Sequence, residues 1–170
     1  DLAARWQEDV IDLRPDVLSV FVGTNDAERH LGRLLRADDP KTVPDFDFAD
    51  WERTYRGLLD RARQANPALK IVLCTPFAAP CGKIVEGALG EYYPLRQRIL
   101  AQCCVIVERI AADYGATLVP FHRLIADLET RLPNGDATYW VWDGIHPTPA
   151  GQRLMADCWI GAAARNGVME

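Results

Sequence analysis

Three short apolar runs, Val17-Leu18-Ser19-Val20-Phe21-Val22, Lys70 to Thr75 and Ala116 to Phe121, are separated by stretches whose apolar residues recur at helical spacing. That alternation leaves very few folds open. Val17 to Val22 is short, rich in β-branched residues and apolar throughout, as a strand covered on both faces should be. The first helix carries Leu2, Trp6, Val10 and Leu13 and stops at Pro15. A second carries Trp51, Tyr55, Leu58, Leu59 and Ala62 and breaks at Asn66-Pro67. The longest carries Leu95, Ile99, Cys103, Ile106, Ile110 and Tyr114 and ends at Gly115. A short helix around Leu124, Leu128 and Leu132 runs into a turn, Pro133-Asn134-Gly135-Asp136. The last helix opens at Thr148-Pro149, a hydroxyl cap with proline in the first helical position, and buries Leu154, Met155, Cys158 and Trp159. Strands joined through helices imply right-handed crossovers and a parallel sheet, hence a three-layer α/β/α sandwich.

At 170 residues, 49% of them hydrophobic, the chain can bury one good-sized core, so one domain over 1–170 is expected. A net charge of −5 without a Lys/Arg cluster argues against a nucleic-acid partner. No apolar stretch of about 18 residues is present, so no membrane span is expected. The five cysteines, Cys74, Cys81, Cys103, Cys104 and Cys158, lack CxxC spacing and mostly sit among apolar residues. They read as reduced, buried thiols and lean to a cytoplasmic location, with an upstream targeting segment left open. Two long connections, Ala27 to Ala49 and Pro76 to Pro94, follow strand ends, where open α/β sheets bind ligands; they are either pocket walls or solvated insertions.

Two constellations carry chemistry. Gly23-Thr24-Asn25-Asp26 directly follows the first strand, where an asparagine amide can aim an N–H at a developing oxyanion; such a donor is worth roughly 3 kcal/mol in the transition state. The alternative is a plain Gly/Asn turn with Asp26 as a cap. Asp143-Gly144-Ile145-His146 precedes the final helix. A carboxylate three residues ahead of a histidine can meet its ring within one turn, fix the tautomer and support the imidazolium, and Pro147 biases His146 toward an extended backbone. The alternative there is an exposed loop pair.

Together, GTND after a parallel strand and DGIH-P-T-P-A-G opening the last helix resemble the third and fifth sequence blocks of the SGNH (GDSL-type) hydrolases, in the family's order and over nearly the whole chain. The resemblance implies a flavodoxin-like sheet and an esterase, lipase or related acyl hydrolase working through an acyl-enzyme, without metal or other cofactor. It assigns Asn25 to the oxyanion hole, His146 to the general base and Asp143 to the acid that orients it. The substrate class implied is a small-molecule ester, with acetylated carbohydrate, lipid ester and thioester all open.

The family's first block, a Gly-Asp-Ser segment supplying the nucleophile, and its second, supplying another oxyanion glycine, have no match here. In a sheet of order 2-1-3-4-5 the strand Val17 to Val22 would be third, so the first two strands are missing and its edge is expected to lack a partner. The chain accordingly reads as the C-terminal portion of a larger hydrolase, inactive by itself. The rival reading is a non-catalytic fragment or pseudoenzyme that serves as a binding module on the same fold. A phosphate or nucleotide binder is disfavoured, because neither GxGxxG nor GxxxxGK[ST] occurs.

No other nucleophile is evident. Ser19, the only serine, sits mid-strand as a buried residue, and Cys81, the more accessible alternative, is expected to pack within its loop. His30 and Asp26 read as a solvated loop pair, His122 as a turn or cap residue, and the three histidines lack metal-ligand spacing. Tyr139, Trp140 and Trp142 either pack in the core or line an acyl or sugar pocket.

Overall fold

The computed structural model describes residues 2–131 and 137–169. Its sheet has three parallel strands, β1 (Val17–Phe21), β2 (Lys70–Cys74) and β3 (Thr117–Val119), in the order β1-β2-β3. Val17 lies opposite Lys70 and Phe21 opposite Cys74, while Val72 to Cys74 pair with Thr117 to Val119. The helices are α1 (Leu2–Trp6), extended by a π-helical turn at Gln7–Ile11, α2 (Thr24–Arg36), α3 (Phe48–Ala65), α4 (Gly87–Glu91), α5 (Tyr93–Tyr114), α6 (Phe121–Arg131) and α7 (Pro149–Arg165).

Alternation along the strands sorts the layers. Leu18 and Val20 of β1 with Ile71 and Leu73 of β2 face a core built from Trp6, Tyr55, Leu59, Ile106 and Ile110, on α1, α3 and α5. Val72, Cys74 and Val119 face the other way, onto Phe121 and Ile125 of α6 and Met155, Ala162 and Ala163 of α7. Helices therefore cover both faces of the sheet, and the three-layer sandwich is present. Each fully buried Leu, Ile or Val here contributes about 1.5–3 kcal/mol relative to exposure. No helix of the described residues is long and apolar enough to cross a membrane.

Local chemistry explains the element ends. Arg14 adopts a left-handed φ of 49°, consistent with the steric bar that Pro15 places on a helical residue before it. Gly115, at φ 58°, closes α5 by donating its N–H to the carbonyls of Ala111 and Ala112. Thr148 Oγ1 accepts the N–H of Gly151 at 3.1 Å, which caps α7 as its sequence predicts.

Several expectations need correction. β1 is not covered on both faces: Val17 is 37% and Phe21 44% exposed, and Ser19 between them is exposed as well. The α6/α7 layer covers β2 and β3 and reaches β1 only at its margin, so continuous apolarity here does not mean continuous burial. Leu13 lies beyond the end of the first helix and is solvent-exposed. The connection Ala27 to Ala49 is helical in its first part. Ala27, His30, Leu31 and Leu34 are buried at i, i+3, i+4 and i+7, a helical stripe interrupted by a histidine. Phe121 begins α6 and does not end β3. Leu132 and the turn Pro133 to Asp136 lie outside the described residues.

Candidate active site

The segment from Val141 to Pro147 is a closed loop ahead of α7. Val141 and Pro147 form an antiparallel bridge, Trp142 donates its N–H to His146 O at 3.2 Å, and Thr148 N–H reaches Trp140 O at 2.9 Å. Inside it, Asp143 Oδ1 accepts the backbone N–H groups of Ile145 (3.1 Å) and His146 (2.8 Å). Its other oxygen, Oδ2, lies 2.7 Å from His146 Nδ1. Burial pushes the Asp143 carboxyl up, but the bonds from the His146 ring, the His146 N–H and the Ile145 N–H together hold it below the usual carboxylate range. An ionised carboxylate at Nδ1 puts the ring proton there and leaves Nε2 with its lone pair. Nε2 has no hydrogen-bond partner among the described residues, and the His146 side chain is 63% exposed. The pair is thus an oriented, solvent-accessible base.

Gly144 allows the loop to sit where it does. Its φ of 94° suits glycine alone, and an added Cβ would overlap Ile84 Cδ1 and come within 2.7 Å of Cys81 O.

Asn25 is the second residue of α2, at the carboxyl end of β1. The chain turns from strand to helix through Gly23, whose φ is 122° and whose missing side chain leaves room for Pro76 and Trp51. Asn25 is exposed, and its amide makes no hydrogen bond within the described chain. Its neighbours are anchored. Thr24 Oγ1 donates to Phe77 O at 3.1 Å, Asp26 Oδ2 accepts from Trp51 Nε1 at 3.2 Å, and Glu28 pairs with Arg96.

The structure therefore brings Asp143 and His146 into contact, whereas no hydrogen bond joins Asn25 to either. A shared support links them: the segment after β2 accepts from Thr24 at Phe77 O and donates from Ala79 N–H to Gly144 O at 2.8 Å. Beside His146 lies a cavity of about 470 Å³ lined by Trp142, Pro147, Thr148, Pro149 and Gln152.

The other singled-out residues take structural places. Ser19 Oγ accepts from Trp159 Nε1 at 3.0 Å and stands 3.9 Å from Cys74 Sγ. Cys81 is buried, not accessible, and its thiol donates to Val141 O at 2.8 Å, so it packs the loop. His30 is buried within α2 beside Arg33 and Phe46 and is not paired with Asp26. His122 is the second residue of α6, with Nδ1 2.7 Å from Thr75 Oγ1. Trp140 packs into the core, while Tyr139 and Trp142 are each 65% exposed. Arg96 and Glu28 escaped the sequence reading. The signal was present, since Arg96 stands in line with Leu100 and Cys103 on the apolar stripe of α5.

Residues 1–154 match the sequence profile of the GDSL-like Lipase/Acylhydrolase family. The chain belongs to that family, one of esterases and acylhydrolases. A relative of this GDSL-like chain, the acetylxylan esterase of Geobacillus stearothermophilus, is 32% identical over 163 residues, covering 94% of this chain and 64% of the esterase. Among solved structures, a GDSL-like protein from Parabacteroides merdae superposes with a TM-score of 0.78 at 28% identity, covering 96% of this chain and 66% of that one. Axe2, an acetylxylan esterase from Geobacillus stearothermophilus, gives 0.72 at 27% identity, covering 95% and 65%. The GDSL-like chain thus spans just under two thirds of the length of these relatives. Axe2 variants described as catalytic mutants replace a serine near the start of that chain and, far downstream, an aspartate and a histidine three positions apart.

Proposed function

We propose that this chain supplies the general base, the orienting acid and one oxyanion donor of an ester hydrolase whose nucleophilic serine lies in a preceding segment of the same protein. The observation that carries the reading is the 2.7 Å contact of His146 Nδ1 with Asp143 Oδ2, which leaves an exposed, lone-pair-bearing Nε2. The spacing of the aspartate and histidine matches that of the catalytic mutants of Axe2. A preceding segment is supported by the unpaired outer edge of β1 among the described residues, by the exposure of Val17 and Phe21, and by the coverage of the relatives.

In this mechanism the serine hydroxyl attacks the ester carbonyl carbon as His146 Nε2 takes its proton. The carbonyl electron pair moves onto oxygen, where the Asn25 amide and backbone N–H groups hold it, and Asp143 stabilises the imidazolium. Collapse restores the carbonyl and expels the alcohol, which takes the proton back from Nε2. Water, deprotonated by the same nitrogen, then releases the carboxylic acid and regenerates serine. The substrate favoured is an acetyl ester of a carbohydrate, since an exposed indole and a cavity stand beside the base and an acetylxylan esterase is among the relatives.

The test is a longer protein that includes the preceding segment. It should hydrolyse p-nitrophenyl acetate and acetylated xylo-oligosaccharides and gain a fluorophosphonate adduct, whereas residues 1–170 alone should gain none. His146→Ala should lower kcat roughly 10⁴-fold or more. A longer protein without adduct or turnover would overturn the reading in favour of a non-catalytic binding module.

A further inference from the structure

Arg96 is fully buried in α5, yet it belongs to none of the proposed catalytic groups. Its Nε donates to Glu28 Oε1 at 2.5 Å, its Nη2 to Glu28 Oε2 at 3.1 Å and its Nη1 to Ile84 O at 3.3 Å. This is the two-pronged geometry in which guanidinium and carboxylate fix one another's orientation as well as their distance. Burying such a pair costs several kcal/mol of desolvation per ion, and apolar side chains of similar volume often serve stability equally well or better. Stability alone is therefore a weak reason for a cation on an otherwise apolar stripe.

Placement gives a better reason. Glu28 lies one helical turn after Asn25 on the same side of α2. Ile84, whose carbonyl takes the third bond, packs its side chain against Gly144, next to Asp143. One buried guanidinium thus touches both the helix bearing the oxyanion amide and the segment supporting the acid and base.

We infer that Arg96 is a positioning residue: through Glu28 and Ile84 it sets the separation of Asn25 from the Asp143–His146 pair. The inference rests on the roles proposed above, but its first test does not require turnover. In the 170-residue chain, Arg96→Met combined with Glu28→Leu removes both charges together, so neither is left unpaired and only Ile84 O loses its donor. Amide exchange of the Ile145 and His146 N–H groups, both bound to Asp143 Oδ1, should then speed up at least tenfold. The Asn25 side-chain amide resonances should shift, while the amides of β2 keep their protection. Unchanged exchange in the loop overturns the inference, and so does an equal loss across β2, which would mark general destabilisation. If the apolar pair does not fold, Arg96→Lys carries the same readout with a smaller increase, because a lysine keeps the charge without the fork.

In the serine-bearing protein, the double variant should lower kcat at least tenfold with KM within twofold, since Arg96 touches no substrate, and Arg96→Lys should fall between. Kinetics unchanged in an active protein overturn the positioning role. Absence of turnover in the unaltered protein overturns the catalytic reading instead, and the exchange result then decides on Arg96 by itself.

Discussion

Trp159 Nε1 donates to Ser19 Oγ over 3.0 Å, so the only serine of the chain is occupied in tying α7 to the margin of the sheet. Its neighbours along β1, Val17 and Phe21, are exposed on the same face, and Leu18 and Val20 point into the core. A hydroxyl on the middle of a strand faces a helix, not the carboxyl end of the sheet where His146 and Asn25 lie.

Ser19→Ala should consequently leave ester turnover by the serine-bearing protein unchanged. The lost bond is solvent-exposed, so the stability cost should be about 1 kcal/mol or less, read from urea or thermal unfolding. A loss of turnover beyond threefold in a folded Ser19→Ala protein would reinstate Ser19 as a participant.

Asp143→Asn keeps the shape of the side chain while giving the ring the wrong partner. An amide can still accept the Ile145 and His146 N–H groups but no longer compels the proton onto Nδ1. In the serine-bearing protein kcat should fall roughly 10³- to 10⁴-fold with little change in KM, by analogy with the same exchange in other triads. Steady-state kinetics on p-nitrophenyl acetate read this directly; a drop below tenfold would mean that Asp143 does not orient the base.

The long α5, the capped start of α7 and the three parallel strands were legible because each is set by local signals: a stripe of six apolar residues, Thr148-Pro149, and short apolar runs ending at Gly or Pro. The Asp143–His146 contact was legible for the same reason, since three residues and one turn decide it. The exposure of β1 was not, because it depends on which strands the α6/α7 layer reaches, a long-range fact that apolarity does not encode. The helix α2 was masked by His30, a polar residue holding a core position. Arg96 was hidden in the opposite way, as a charge whose partner lies 68 positions earlier in the chain.

Two imidazoles, His30 buried and His122 half-buried, give the fold a pH dependence of definite sign. Burial holds His30 below the ordinary imidazole range, with Arg33 pushing it further down and Asp45 partly back up. Burial also lowers His122, which Glu108 draws up and Arg123 pushes down. In the unfolded chain both rings take up protons near about 6.5, whereas in the folded chain they do so only at lower pH. Between those ranges the unfolded state binds more protons, so stability is full above about pH 7 and falls as the pH drops through about 6.5. Urea midpoints should be lower at pH 5.5 than at pH 7.5, and the gap should narrow when His30→Leu and His122→Asn are combined. A midpoint independent of pH over that interval contradicts the argument.

Trp142 offers the clearest separation of substrate recognition from chemistry. Its indole is 65% exposed, it directly precedes Asp143, and it lines the cavity of about 470 Å³ beside His146 together with Gln152. An aromatic face left in water next to the proposed base costs solvation unless a ligand with an apolar face covers it, and a sugar ring provides one. The ring is none of the groups proposed to move a proton or hold the oxyanion, so its contribution should be equal in ground and transition states and should appear in KM alone. In the serine-bearing protein, Trp142→Ala should raise KM for acetylated xylo-oligosaccharides about tenfold, equivalent to about 1.4 kcal/mol of binding, with kcat within twofold. For p-nitrophenyl acetate, whose alcohol part is too small to span the cavity, KM should change less than threefold. Equal effects on the two esters would assign Trp142 to loop packing, and the carbohydrate part of the functional proposal would fall with it.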